Sequence, residues 1–180
     1  MELMTTMDWG IAGLRVILAF ILFAHSTQKL CGWFSGSGPA ATAGLFEKLG
    51  QRPGHVMVRV ASVFELIAAV SLLLGLLTPI GLCLAVATMI VAGSALSALS
   101  GTFWNALGGG QYPFFIAAVV AMLGITGQGA LSLDSVLMPQ LVGLYPVILP
   151  VAVLVGILGA VPMVMRTKRA IREAKAEAEA

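Results

Sequence analysis

A long stretch without charge is the feature that most limits what this chain can fold into. Residues 66–133 contain no Asp, Glu, Lys or Arg, and residues 135–165 contain none either. A water-soluble domain needs charged side chains on its outer surface, whereas a surface that faces hydrocarbon does not. The chain is 59% hydrophobic and only 10% charged, with a net charge of +2. The sequence therefore predicts an all-α integral membrane protein in contact with the lipid bilayer, and it does not indicate nucleic-acid binding.

Five segments are apolar enough to be membrane spans. A crossing helix needs about 20 apolar residues, and polar, Gly-rich or Pro-containing connections separate the candidates. The predicted spans are residues 9–31, 56–77, 80–99 and 112–126, with an extra span within residues 139–165. Residues 166–180 form a charged tail, which is predicted to lie outside the membrane.

Basic residues give the predicted bundle an orientation. Lys48 and Arg52 lie in the first long connection, and five further Lys and Arg residues lie in the tail. Five crossings put this connection and the tail on the same side, which the excess of positive charge predicts to be cytoplasmic. The N-terminus, with Glu2 and Asp8, is then predicted to lie outside, as is Asp134.

The first span carries a polar stripe. At a helical rotation of about 100° per residue, four polar side chains of this span fall within one arc of about 100°. They are Arg15, His25, Ser26 and Lys29, while Gln28 points elsewhere. Polar groups inside a membrane are costly, so this stripe is expected to face protein rather than lipid.

Glu65 is the expected partner of this stripe, because it is the carboxylate within the hydrophobic part of the chain. It is predicted to lie near the middle of the second span, where either His25 or Arg15 could reach it. Lys29, near a helix end, is expected to extend to the membrane surface instead. Two interpretations stay open. One is a buried ion-pair network that joins the first two spans, and the other is a polar pocket for a headgroup such as that of a quinone.

The two cysteines argue against a thiol oxidoreductase. Cys31 and Cys83 do not form a CxxC motif, and no zinc or iron–sulfur spacing is present. The predicted topology places them near opposite membrane surfaces, much further apart than the alpha-carbon distance of about 7 Å that a disulfide allows. No metal site is predicted.

Several motifs, taken in order along the chain, resemble those of the DoxX family of small bacterial and archaeal membrane proteins. They include AHSTQKLCGWF, FEKLG, ELIAAVSLLLGLLT, GGGQYPFF and GQGALSLDSVL, and together they cover about residues 9–138. The resemblance implies a DoxX-like four-helix transmembrane bundle over residues 1–138, and the fifth C-terminal span goes beyond that pattern. It also implies a polar set formed by Arg15, His25, Lys29, Glu65 and Asp134. The chain departs from the family where Gln111 replaces a common Glu and where the third span lacks a His.

The resemblance also implies a function. The family is similar to the membrane subunit of thiosulfate:quinone oxidoreductase. The leading hypothesis is therefore a quinone-interacting or docking subunit of an oxidoreductase or oxidative- or sulfur-stress system in the bacterial inner membrane. No flavin, haem or iron–sulfur motif is present, so a soluble or membrane redox partner is expected to supply electrons, and no covalent cofactor is expected. The alternative is a non-enzymatic membrane anchor or small-molecule permease whose buried charges are structural. Catalysis by the chain itself and homo-oligomer formation both stay open at this stage.

Overall fold

The computed structural model describes residues 5–179, and within that range the chain contains helices and no strands. Residues 1–4, with Glu2, and Ala180 lie outside the described residues. The α-helices are α1 (Thr6–Leu30), α2 (Gly38–Lys48), α3 (Gly54–Leu74), α4 (Thr78–Ser100), α5 (Gln111–Thr126), α6 (Leu133–Leu137), α7 (Pro139–Val142) and α8 (Tyr145–Glu179). Four of these, α1, α3, α4 and α8, are long and apolar enough to cross a membrane, and α5 is a shorter apolar helix. The predicted all-α, multi-pass membrane fold is confirmed.

Local sequence signals explain where the long helices begin and end. Thr5 and Asp8 form a capping box at the start of α1, since the Asp8 carboxylate accepts the Thr5 N–H at 2.9 Å and the Thr5 hydroxyl accepts the Asp8 N–H. Helix α3 ends at Gly75, whose φ of 60° lies in the left-handed region that favours glycine. Pro79 then lies in the first turn of α4. The short turn between them makes α3 and α4 antiparallel neighbours.

The spanning helices pack around one main apolar core. Residues from α1, α3, α4, α5 and α8 contribute to it, among them Leu22, Leu72, Leu82, Val120 and Leu149. Many other large apolar side chains are exposed on the outer faces of the same helices. Such a surface suits hydrocarbon as the surrounding solvent, so the protein contacts lipid around its perimeter.

Helix α8 unites the predicted fifth span and the predicted charged tail. It runs without interruption from Tyr145 to Glu179, although Pro150 and Pro162 lie inside it. At 1.5 Å per residue it is about 50 Å long, so its end extends beyond a hydrocarbon layer of about 30 Å. The contact between α4 and α8 is the most extensive between any two helices of the described chain. The span that exceeds the family pattern is therefore a structural part of the bundle.

The first long connection and the tail lie at the same end of the bundle, as five crossings require. The Gln51 side chain donates a hydrogen bond to the Thr167 hydroxyl at 3.2 Å, and Leu49 packs with Ile171 in a small second apolar cluster. We call this end, with residues 31–53, 101–110 and 164–179, the basic end. The opposite end, with residues 75–77 and 127–144, is called the Arg15 end.

Candidate functional site

Glu65 is paired with Lys29, and not with Arg15 or His25 as the sequence suggested. The Lys29 ammonium donates to Glu65 Oε1, so the ion pair joins α1 to α3. Glu65 is 1% exposed, and the Lys29 side chain is 19% exposed. The prediction that Lys29 extends to the membrane surface is therefore wrong. A buried carboxylate is costly without a counter-charge. The long side chain of Lys29, in the last turn of α1, supplies that charge.

Arg15 lies at the other end of the bundle, where it binds backbone carbonyls. Its guanidinium donates four hydrogen bonds: Nε to the carbonyl of Leu72 at 2.8 Å, Nη1 to those of Gln128 at 2.9 Å and Leu131 at 2.7 Å, and Nη2 to that of Leu73 at 3.2 Å. Two of these carbonyls end α3, where intrahelical partners are lacking and the helix dipole is negative. Arg15 therefore caps α3 and ties it to the connection that follows α5.

Gly75 makes room for this arginine. A Cβ atom at position 75 would overlap the guanidinium of Arg15 and the side chain of Ser132. The positive φ of the residue already favours glycine. The family-like segment ending in GLLT thus has a structural role at the Arg15 end.

Asp134 completes the polar contacts of the Arg15 end. Its Oδ1 accepts the Leu77 N–H at 2.8 Å, and its Oδ2 accepts the Thr78 N–H at 3.0 Å and the Tyr145 hydroxyl at 2.7 Å. It therefore caps the start of α4 and connects it to α8. Burial opposes the charged form of this carboxyl, but the hydrogen bonds from Thr78, Tyr145 and Leu77 hold the pKa of Asp134 below its usual range.

Asp134→Asn should lower the free energy of unfolding by about 2 kcal/mol, because an amide cannot accept all three of these hydrogen bonds. The lowered pKa also sets a pH dependence. The stabilisation by Asp134 is complete above its unfolded pKa near 3.8 and is lost as the pH falls through the lower folded value. Thermal unfolding in detergent from pH 7 to pH 3 measures both effects. The variant should lose less stability than the wild type in acid, and an equal loss would contradict this role.

A cavity of about 570 Å³ lies beside the Lys29–Glu65 pair in the basic half of the bundle. Helices α1, α2, α3, α4 and α8 all contribute to its walls, which are mostly apolar. Its polar lining consists of His25, Gln28, Lys29, Ser35, Ser37, Thr42, Gln51, Glu65 and Thr88. Small-molecule pockets have this size and this combination of apolar walls with a few polar groups.

The second carboxylate oxygen of Glu65 is left without a hydrogen-bond partner in the described part of the chain. This atom, Oε2, is buried and has no hydrogen-bond partner among residues 5–179. The hydroxyl of Ser62, about one turn earlier on α3, is also buried and unpartnered within that range. Buried polar atoms nearly always have partners, because leaving one unsatisfied costs about 1–3 kcal/mol. Since Glu65 lines the cavity, a donor group on a bound molecule would satisfy its free oxygen.

The structure divides the predicted polar set between two places. His25, Gln28, Lys29 and Glu65 line the cavity, and the His25 ring lies 5.6 Å from the ring of Tyr112. Arg15 and Asp134 belong to the Arg15 end, so the prediction of one pocket that includes Arg15 is wrong. The helix rotation predicted from sequence grouped His25 with Lys29 correctly, but it was wrong to set Gln28 apart, because Gln28 lines the same cavity. It also carried no information on which end of α3 each residue meets.

Ser26 and Gln111 have other partners. The Ser26 hydroxyl donates to the Ser62 carbonyl at 2.9 Å, which holds α1 against α3 behind the cavity wall. Gln111 opens α5, and its side-chain oxygen accepts the Asn105 N–H at 3.2 Å. Sequence analysis missed the contributions of α2 and α8 to the cavity, which include Thr42 and Gly159. Neither segment carries an unusual polar pattern that points to a site.

Comparison with known families identifies the family of this chain. Residues 10–98 match the sequence model of the DoxX family. The match includes Arg15, Lys29 and Glu65, and ends just before the end of α4, whereas the motifs GGGQYPFF and GQGALSLDSVL lie beyond it. No curated protein and no solved structure matches the chain. The chain is a membrane protein that belongs to the DoxX family.

Proposed function

We propose that this protein is a quinone-binding membrane subunit of a redox system. One observation carries the proposal: the buried Glu65 carboxylate has a free oxygen and lines a largely apolar cavity within the spanning helices. In this proposal the protein lies in the bacterial cytoplasmic membrane with its basic end in the cytoplasm, because Lys and Arg are concentrated there.

The chemistry of the cavity suits a quinone headgroup. The charges of Lys29 and Glu65 compensate each other, which favours a neutral ligand over an anion or a cation. The Lys29 ammonium and the Gln28 amide are donors for carbonyl oxygens, and Glu65 Oε2 is an acceptor for a hydroxyl. A bound quinone would supply two-electron, two-proton chemistry. The residues of this chain would hold the headgroup, exclude water from it and exchange a proton at Glu65 Oε2.

The proposed system includes a partner that supplies electrons. The basic end is the proposed docking side. There, α2 and the connection after it are the layer between the cavity and the surface, so a partner bound at this surface lies near the cavity. Exposed basic side chains there include Arg52, Arg166 and Lys168. Complementary charge guides the encounter of redox partners more than it sets their affinity. An electron-transfer protein with an acidic face is therefore the proposed partner.

Glu65→Gln should reduce the amount of quinol that remains bound to protein purified under reducing conditions. Gln retains the size of Glu and keeps an oxygen for Lys29, but its amide nitrogen cannot accept a hydroxyl of the quinol, the reduced form that carries the donor groups. Loss of a charge-assisted hydrogen bond of about 1.5–3 kcal/mol corresponds to roughly tenfold or more in affinity. The measurement is solvent extraction of protein purified in mild detergent with dithionite present, with total quinone quantified per folded molecule.

Asp134→Asn is the matched control for this experiment. It also neutralises a fully buried carboxylate, but at the Arg15 end and away from the cavity. It should therefore lower stability and leave the quinone content per folded molecule unchanged. Equal loss of quinone in both variants would contradict a site at Glu65. Absence of quinone from the wild type as well would favour a membrane anchor or permease, in which the ion pair only joins two helices.

A further inference from the structure

The cavity beside Glu65 has an open side between α3 and α8. Both helices pack against α4, but they have almost no contact with each other. Phe64 and Val60 on α3 line the cavity and are 40% and 38% exposed. Gly159 on α8 lines it as well and is also exposed. Because all three residues belong to spanning helices, the medium outside this gap is lipid hydrocarbon.

The two glycines of α8 nearest to the gap differ in what surrounds them. A Cβ atom at Gly156 would overlap the backbone of Cys83, so Gly156 allows α8 to approach α4 closely. A Cβ atom at Gly159 would meet no described atom within 4 Å. Glycine at position 159 is therefore not needed for helix packing, and its small size keeps the gap open.

The approach to the cavity from the basic end is partly covered. At the basic end, α2 and the connection after it lie across part of the cavity. Three of their residues line the cavity and are buried: Thr42, Leu49 and Gln51. The connection is attached to α8 through the Gln51–Thr167 hydrogen bond. Ser35 and Ser37, in the connection before α2, also line the cavity and are exposed, so a small water-soluble molecule can enter there. A hydrocarbon tail, in contrast, stays in lipid only at the gap between α3 and α8.

We propose that the ligand enters sideways from the bilayer, through the gap between α3 and α8, and that its hydrocarbon tail stays in this gap. The ligand class is a neutral amphiphile whose head carries hydroxyl or carbonyl oxygens. The head lies against Lys29 and Glu65, and the tail passes Gly159 and Phe64 into the lipid. A cavity of about 570 Å³ holds a headgroup and only the first part of a long tail. The identity of the headgroup rests on the proposed function. The route of entry and the need for a hydrocarbon tail go beyond that function.

Gly159→Phe tests this route, with Leu158→Phe as its control. Position 158 is the adjacent residue of α8 and faces lipid away from the cavity. Binding to the full chain in phosphatidylcholine nanodiscs is measured, with dithionite present, with two probes that share one headgroup: 2,3-dimethoxy-5-methyl-1,4-benzoquinol without a tail, and the same ring with a decyl tail. Gly159→Phe should weaken binding of the tailed probe at least tenfold and change that of the tail-less probe less than twofold. Leu158→Phe should change neither, and the melting temperatures of both variants should match the wild type.

The possible outcomes separate this inference from the proposed function. If the wild type binds both probes and Gly159→Phe affects them equally or not at all, the lateral route is wrong and the headgroup site stands. If the wild type binds neither probe, the proposed function fails, and the lateral route fails with it. A tail-specific loss in Gly159→Phe alone supports both.

Discussion

Arg15→Met is expected to leave little protein in a stable fold. The guanidinium donates to four backbone carbonyls, and Arg15 is almost completely buried. Methionine fills much of the same space but donates nothing, so these carbonyls lose their partner in a region of low dielectric. The Leu72 carbonyl keeps the Gly75 N–H as a donor at 3.4 Å. At about 1–3 kcal/mol for each of the other three carbonyls, the loss is at least about 3 kcal/mol. That is a large part of a typical folding free energy of about 5–15 kcal/mol.

Yield of monodisperse protein and melting temperature in detergent measure this effect. Arg169→Met is the matched control, because the Arg169 side chain is 82% exposed and pairs with Glu173 one turn away. It should melt within a few degrees of the wild type, as exposed pairs contribute little. Arg15→Lys should fall between the two, since an ammonium donates from one point and reaches fewer of the carbonyls. A wild-type melting temperature in Arg15→Met would show that these hydrogen bonds do not hold the Arg15 end together.

The helices of this protein could be predicted well because their signal is length and hydrophobicity. The predicted span at residues 80–99 corresponds to α4 at Thr78–Ser100, and the segment at residues 112–126 corresponds to α5 at Gln111–Thr126. Lipid selects long apolar segments whatever their tertiary partners, so such segments are visible in one sequence. The continuity of α8 was missed, because a change from apolar to charged residues marks the membrane surface and does not mark the end of a helix.

The polar contacts were harder to predict, and each failure has a physical cause. Arg15 binds carbonyls of the backbone, which every residue possesses and which therefore give no signal in the sequence. The depth of Glu65 in the membrane was compatible with both His25 and Arg15, but the long side chain of Lys29 reaches it instead. The cavity depends on α3 and α8 remaining apart. A sequence pattern indicates which helix faces are apolar, but it does not indicate which helices fail to touch.

Lys29→Met is expected to cost about 3–5 kcal/mol of unfolding free energy, because it leaves the buried Glu65 carboxylate without its counter-charge. Glu65→Leu should cost less, about 1 kcal/mol, since the partly exposed Lys29 side chain can turn towards the membrane surface at the basic end. The double variant should be close to the wild type in stability, because replacing both members of a buried pair with apolar residues is often neutral. Unfolding by sodium dodecyl sulfate in mixed micelles gives all four free energies, and additive losses in the double variant would contradict a direct ion pair.

The wild type, the two single variants and the double variant also distinguish a structural role of the Lys29–Glu65 pair from a functional one. If the pair only joins α1 to α3, the double variant should recover every property of the wild type together with its stability. If Glu65 also binds a headgroup, the double variant should be stable and yet retain no quinone, because its cavity has lost both the ammonium donor and the free carboxylate oxygen. Quinone extraction from the double variant, at a stability equal to that of the wild type, therefore removes folding as an explanation for lost binding. Retention of quinone at the wild-type level by a stable double variant would make Lys29–Glu65 a structural contact alone.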